Sequence, residues 1–190
     1  FDDWLNIRGL WSRGIPVKPK FFLLLLLSIF GAWWFYVKLG FSSLYIPFYG
    51  DVSLGIWYIL LFILVFIASG HAVNITDGLD GLAAGLLIMS YMVFAVIAFS
   101  KGMLLLATLC GVTAGSLTAF LWFNLHPAKF FMGDLGSLSL GATLGVIALL
   151  TDSLIPYLLI SSVYILETLS VIIQIASKKL RYGKKVFLIA

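Results

Sequence analysis

The sequence has 190 residues, of which 62% are hydrophobic and 11% charged, with a formal net charge of +4. A soluble domain is about 45–50% apolar and about 25% charged. This chain therefore lacks the polar residues to cover a water-facing surface, and it reads as an integral membrane protein whose domain count is a span count.

A crossing needs about 20 apolar residues at 1.5 Å of rise each. Six stretches qualify or nearly so: 21–39, 54–70, 82–100, 103–123, 136–152 and 154–177. The period-two alternation of a β-barrel is missing from the sequence, so the expectation is a polytopic all-α bundle, one transmembrane domain over residues 1–190. Between the first two stretches, Tyr45-Ile46-Pro47-Phe48-Tyr49-Gly50-Asp51 reads as a small turn or hairpin at the interface. The lone Cys110 lies in an apolar stretch and reads as a small packing residue. The chain opens on Phe1-Asp2-Asp3 and closes within an apolar phrase, so it is expected to be an internal piece of a longer protein.

Six crossings sort the connections onto two sides. Arg8, Arg13, Lys18, Lys20, Lys129, Lys178, Lys179, Arg181, Lys184 and Lys185 fall on one side, against Lys38 and Lys101 on the other. The positive-inside rule makes the first side cytoplasmic. Five of the eight acids (Asp2, Asp3, Asp77, Asp80 and Asp134) lie on that same side, in three separate connections.

Each acidic group has a bland reading and a chemical one. Asp2-Asp3 can be a solvated helix end, or a repelling pair that makes a base or a metal site. In Asn74-Ile-Thr-Asp77-Gly78-Leu79-Asp80-Gly81, Asp80 is placed to cap the following helix. The same segment repeats an oxygen-bearing side chain every third residue beside glycines and a helix N-terminus, which suits a phosphate or a metal. In Asn124-Leu-His126-Pro-Ala-Lys129-Phe130-Phe131-Met-Gly-Asp134-Leu-Gly-Ser137, Asp134 can be a cap and the aromatics interface packing. Alternatively an exposed Phe stacks on a nucleobase beside a Mg²⁺–diphosphate site built from carboxylates with Lys18, Lys20 and Lys129. Glu167 lies inside the last span, where an ionisable group either binds a polar substrate group or pairs with Thr168, Ser170 or Gln174.

These motifs, in this order, resemble those of the polyprenyl-phosphate N-acetylhexosamine-1-phosphate transferase superfamily. Glu167-Thr-Leu-Ser-Val-Ile-Ile-Gln174-Ile-Ala-Ser and Gly183-Lys-Lys-Val-Phe-Leu-Ile-Ala190 look most like its phospho-N-acetylmuramoyl-pentapeptide transferase branch. The resemblance runs the length of the chain and implies a stretch from the end of the third span to the loop after the ninth, in a ten-span protein. It implies catalytic roles for Asp2, Asp3, Lys18, Asp77, Asp80 and Asp134, with Mg²⁺ on Asp134 and Asp77. It also implies substrate-binding roles for Asn74, Gly78, Leu79, Asp80, Asn124, His126, Phe131 and Glu167, with Phe131 stacking on uracil. Asn6 and His71 depart from the usual residues at their positions, and the family's histidine-rich motif would follow Ala190.

The implied reaction is transfer of phospho-N-acetylmuramoyl-pentapeptide from UDP-N-acetylmuramoyl-pentapeptide to undecaprenyl phosphate, releasing UMP. The implied setting is the lipid bilayer of a bacterial inner membrane, with the site facing the cytoplasm, a homodimer, and no nucleic acid as partner. The piece by itself is expected to be inactive. A sibling that moves N-acetylglucosamine-1-phosphate shares the first motifs. A transporter would place its acids at mid-bilayer in broken helices, whereas here only Glu167 lies well inside a span.

Overall fold

The computed structural model describes residues 17–180, with side chains over 20–177. Helix α1 (Val17–Trp33) continues through a π-helical turn (Trp34–Lys38) into a hairpin of β1 (Ser43–Ile46) and β2 (Gly50–Ser53). Then come α2 (Trp57–Thr76), α3 (Leu82–Ser100), α4 (Leu104–Asn124), α5 (Gly133–Leu150), α6 (Leu154–Ile160) and α7 (Ser162–Leu180). Five helices are long and apolar enough to cross a membrane, and α6 with α7 makes a sixth bent by 66°. The architecture is the all-α polytopic bundle that composition predicts, with one antiparallel hairpin added, in the register Ser43↔Ser53 to Ile46↔Gly50.

Several boundaries differ from the hydropathy reading. Helix α5 starts at Gly133 rather than 136, which brings Asp134 into its first turn. Helix α2 continues past residue 70 to Thr76, so Asn74 belongs to its last turn and Asp77 to its C-cap, because internal hydrogen bonding outlasts the apolar run. The final span is interrupted at Ser161, whose hydroxyl donates to Tyr157 O (2.6 Å).

Lipid offers no hydrophobic drive between helices, so close backbone approach and hydrogen bonds have to hold them together. The tightest contact is antiparallel, between α2 and α5. A Cβ on Gly141 would lie 2.5 Å from Ser69 O, and one on Gly145 2.5 Å from Ser69 Oγ. A Cβ on Gly70 would lie 3.1 Å from Leu138 O. Tyr91 OH donates to Leu140 O (2.8 Å), joining α3 to α5, and Tyr157 OH donates to Ser69 Oγ (2.7 Å), joining α6 to α2. Phe62 and Phe35 (ring centroids 4.6 Å apart) join α2 to the π-helical turn.

The two ends of the bundle are built differently. At one end, Asp152 Oδ1 accepts from Tyr45 N (3.0 Å), while Lys101 Nζ donates to Thr151 O and to Ser153 Oγ (3.3 Å). The hairpin and the α3–α4 turn are thereby tied to the α5–α6 turn. At the other end lie the connections 77–81 and 125–132, which carry the candidate chemistry.

Gly141→Ala should force α2 and α5 apart, lowering stability by about 1–3 kcal/mol and the unfolding temperature in detergent with it. Gly111 on α4 is exposed and a Cβ there meets nothing within 4 Å, so Gly111→Ala should not lower that temperature. Equal behaviour of the two variants would show that the α2–α5 contact has slack.

Candidate active site

Two Asp-Gly steps end α2 and start α3, and Gly81 supplies the positive φ (73°) that this turn requires. Helix α4 stops at Asn124, two residues before His126-Pro127, and the chain crosses back to start α5 at Gly133 (φ 70°). Both turns therefore meet at one end of the α2–α5 contact.

Around Gly133 the contacts come from three helices. Gly133 N donates to Asp77 Oδ2 (3.2 Å). One residue on, Asp134 Oδ2 pairs with Lys20 Nζ of α1 (2.7 Å), and its Oδ1 accepts from Asn74 Nδ2 (3.1 Å). Asn74 Nδ2 also donates to Ser137 Oγ (2.8 Å). Partial burial raises the Asp77 pKa; the N–H groups of Gly133 and Met132 work against this, and the charge of Asp134 adds to it. Two carboxylates thus share the start of α5, one of them held against the cost of desolvation.

A second cluster fixes the loop. His126 Nδ1 lies 2.8 Å from Asp80 Oδ2, and since an ionised carboxylate only accepts, the proton is on Nδ1. Ala128 N donates to the same oxygen (3.2 Å). The His126 hydrogen bond, first, and the Ala128 N–H, second, hold the Asp80 pKa below the usual carboxylate value. Asn124 is sealed from solvent: its Oδ1 accepts from Gly81 N (3.0 Å) and its Nδ2 donates to Phe130 O (2.9 Å). Phe130 stacks on Phe123 (5.8 Å, 22°), with Lys129 Nζ over the Phe123 ring at 5.7 Å. Phe131 is left half exposed at the rim (48%).

Several expectations change against this geometry. The N-cap residues of α3 and α5 are Gly81 and Met132, neither with a side-chain cap bond. Asp80 and Asp134 are therefore not caps; tertiary partners have taken their oxygens. Asn124 braces two loops, its Oδ1 on Gly81 N and its Nδ2 on Phe130 O. Lys129 serves the aromatic cluster, and Lys20 is the lysine seen on a carboxylate. Glu167 is on α7, whereas the Asp77–Asp134 pair is assembled by α1, α2 and α5. Its neighbour Thr168 bonds to Tyr164 O (2.8 Å). Asp2, Asp3 and the Lys18 side chain lie outside the described residues. Of the three lysines that the sequence offers to a phosphate site, Lys20 is the one paired with Asp134. Ser137 carries no role in the sequence reading, although it stands three residues after Asp134, the spacing that puts two side chains on one helix face.

An apolar groove of about 670 Å³ runs from Lys20 and Asp134 between α1 and α5, lined by Leu23, Leu27, Phe66, Leu138 and Val146.

The described residues form a multi-pass helical bundle of membrane-spanning character, with paired carboxylates, a lysine and an exposed aromatic at one end beside an apolar groove. The chain belongs to Glycosyl transferase family 4, whose profile it matches over residues 1–152. It is 42% identical over its whole length to the phospho-N-acetylmuramoyl-pentapeptide-transferase of Clostridium perfringens (strain SM101 / Type A), covering 58% of that protein. Proteins of the same name from Thermodesulfovibrio yellowstonii and Desulfotalea psychrophila are 39% and 36% identical, again with all of this chain and 58% of theirs. The chain thus spans under two thirds of the length of these relatives.

Asp80 has a depressed pKa, so it contributes stability above its unfolded value of about 3.9 and loses that contribution as pH falls through its folded value. The unfolding-temperature difference between wild type and Asp80→Asn should be present at pH 6 and shrink steadily as pH falls below about 3.9. A difference independent of pH would mean that the Asp80–His126 contact owes nothing to charge.

Proposed function

We propose that this chain carries the reaction site of a phospho-sugar transferase that moves phospho-N-acetylmuramoyl-pentapeptide from UDP-N-acetylmuramoyl-pentapeptide to undecaprenyl phosphate. The products are UMP and the first lipid-linked peptidoglycan precursor. The observation carrying this reading is the meeting of Asp77, Asp134 and Lys20 at the start of α5, at the mouth of the apolar groove. Such a site suits an acceptor with a long apolar tail and a phosphate head. The printed name of the relatives supplies the sugar moiety. The ten-to-two split of basic residues supports a site facing the cytoplasm of a bacterial inner membrane, where nucleotide-linked donors are made.

Among the described residues no cluster of three or more His, Cys, Asp and Glu side chains stands ready to hold a metal alone. Mg²⁺, however, takes one or two carboxylates and completes its shell with waters and substrate phosphates. Asp77 and Asp134 are hard oxygen donors brought to one place by the Gly133 N–H bond to Asp77, so the donor set fits an ion that arrives with the diphosphate. When bound, Mg²⁺ neutralises the donor's diphosphate and the departing UMP. Asp134, held on both oxygens by Lys20 and Asn74, is fixed in direction before substrate arrives. Lys20 brings positive charge to the point where two phosphate groups approach, which lowers their mutual repulsion. The Asp80–His126 contact and the Asn124 brace hold Gly78, Leu79 and Phe131 as the walls of a nucleoside pocket. A lipid phosphate oxygen displaces UMP at the sugar-linked phosphorus. The acids of Asp2 and Asp3 and the Lys18 amine belong to the same proposed site.

Full-length protein incubated with undecaprenyl phosphate should release UMP from UDP-N-acetylmuramoyl-pentapeptide and not from UDP-N-acetylglucosamine. Turnover of the second donor alone would overturn the assignment. Asp77→Asn keeps an oxygen for Gly133 N–H and removes a partly desolvated charge, so it should fold at least as well as wild type at pH 7 while losing turnover. A base stacked on an aromatic ring is worth about 1–3 kcal/mol. Phe131→Ala should accordingly raise KM for the UDP donor by roughly one to two decades and spare kcat. An unchanged KM would return Phe131 to lipid-interface packing.

A further inference from the structure

Asn74 and Ser137 raise a question of direction. A side-chain amide presents an N–H₂ donor on one edge and a carbonyl acceptor on the other, and half a turn about its terminal bond exchanges them. Beside a carboxylate the two orientations are opposite in effect: one donates to it, the other sets a second negative oxygen against it. Something has to select the first.

The selector is Ser137. Its side chain is fully buried, one turn into α5. Its single hydroxyl proton is committed to Gly133 O (2.8 Å), the carbonyl four residues earlier in the same helix. With that proton spent, Ser137 Oγ has only lone pairs left for Asn74, which lies 2.8 Å away through Nδ2. A carbonyl in that place would meet lone pair against lone pair. The amide is therefore held with its nitrogen toward α5, and the same nitrogen then donates to Asp134 Oδ1 at 3.1 Å.

We propose that Ser137 is a positioning residue for the transfer reaction: by accepting from Asn74 it fixes the sense of that amide and so aims the Asp134 carboxylate. This rests on the reading of Asp134 as a metal-holding acid, and it adds to that reading a residue that touches neither substrate nor ion. Without the hydroxyl oxygen, the amide is free to turn, and Asp134 loses a directed donor on one of its two oxygens. Changes behind a metal-ligating side chain commonly cost 10–100-fold in metal affinity or activity.

The test uses full-length protein in detergent and Mn²⁺ as a spectroscopic stand-in for Mg²⁺, with free Mn²⁺ read by electron paramagnetic resonance and turnover followed separately. Ser137→Ala should weaken Mn²⁺ binding about 10-fold or more and raise the Mg²⁺ concentration for half-maximal turnover in parallel. KM for the UDP donor should stay the same, since the nucleoside walls do not rest on Ser137. Asn74→Ala should weaken Mn²⁺ binding at least as much, whatever it does to KM for the donor. The Mn²⁺ affinity of the double variant should be no worse than that of Asn74→Ala alone, because the serine acts only through the amide. Ser137→Cys, of similar size and a weak acceptor, should give an intermediate loss and covers the case in which the alanine variant does not fold. Additive losses in the double variant, or wild-type Mn²⁺ affinity in folded Ser137→Ala or Ser137→Cys, would overturn the role of Ser137. Wild-type Mn²⁺ affinity in Asp134→Ala would instead overturn the reading of the site itself.

Discussion

One antiparallel ridge of α5 carries both the packing and the chemistry. Gly133, Ser137, Gly141 and Gly145 recur every four residues, one of the rows that interlock when helices pack. Their partners on α2 run the opposite way: Asp77 with Gly133, Asn74 with Ser137, Ser69 and Gly70 with Gly141, Ser69 and Val65 with Gly145. Deep in the bundle the ridge has no side chains: Gly141 meets the backbone of Ser69 and Gly70, and Gly145 the side chains of Ser69 and Val65. At its site end the same row becomes polar, and hydrogen bonds replace contact. A slip of one helical turn, about 5.4 Å, would clash at the glycines and unpair Asn74 and Asp77 together. Correct packing and a correct site are one register.

The polar groups that cross helices follow the same economy. Tyr91 and Tyr157 each spend a hydroxyl on a partner in α5 or α2, which in lipid replaces part of the drive that water gives a soluble core. Most serines and threonines along the spans donate to the carbonyl one turn back, as Thr113, Ser116 and Thr143 do. They are thereby satisfied without partners and can face lipid. Ser137 makes the same local bond and yet has a tertiary role, because its lone pairs face Asn74.

Much of the bundle was legible because hydropathy reports the solvent directly: long apolar runs have to cross lipid, and five of them form helices long and apolar enough to do so, with α6 and α7 together making a sixth. The meeting of the 77–81 and 125–133 turns at one end was legible from topology and charge. What stayed hidden was where each carboxylate points. Asp80 and Asp134 stand where local rules expect caps, but His126, Ala128, Lys20 and Asn74, distant in sequence, hold their oxygens instead. Lys20 reads in the sequence as one positive charge among several at a span end. The break between α6 and α7 falls at Ile160-Ser161-Ser162, without Gly or Pro to mark it. The pocket role of Asn124 is implied by the resemblance alone; only the fold shows its amide bonded to Gly81 N and Phe130 O.

The ties made by Asp152 and Lys101 sit at the end of the bundle opposite to the carboxylates. Helix α2 has 20 residues and is about 30 Å long at 1.5 Å per residue. The segment leading into it is joined to the hairpin at that end through Leu54 N and Gly55 N on Ser42 O (2.8 and 3.0 Å), so the helix behaves as a lever: a tilt of roughly 2° moves its far end by about 1 Å. A displacement of that size within a reacting constellation costs on the order of 100-fold in rate. The glycine contacts of α5 lie partway along this arm and act as a mechanical stop, converting close packing in the lipid interior into angular tolerance at the site. The spacing of Asp77 and Asp134 is therefore governed as much by residues several turns away as by their own neighbours.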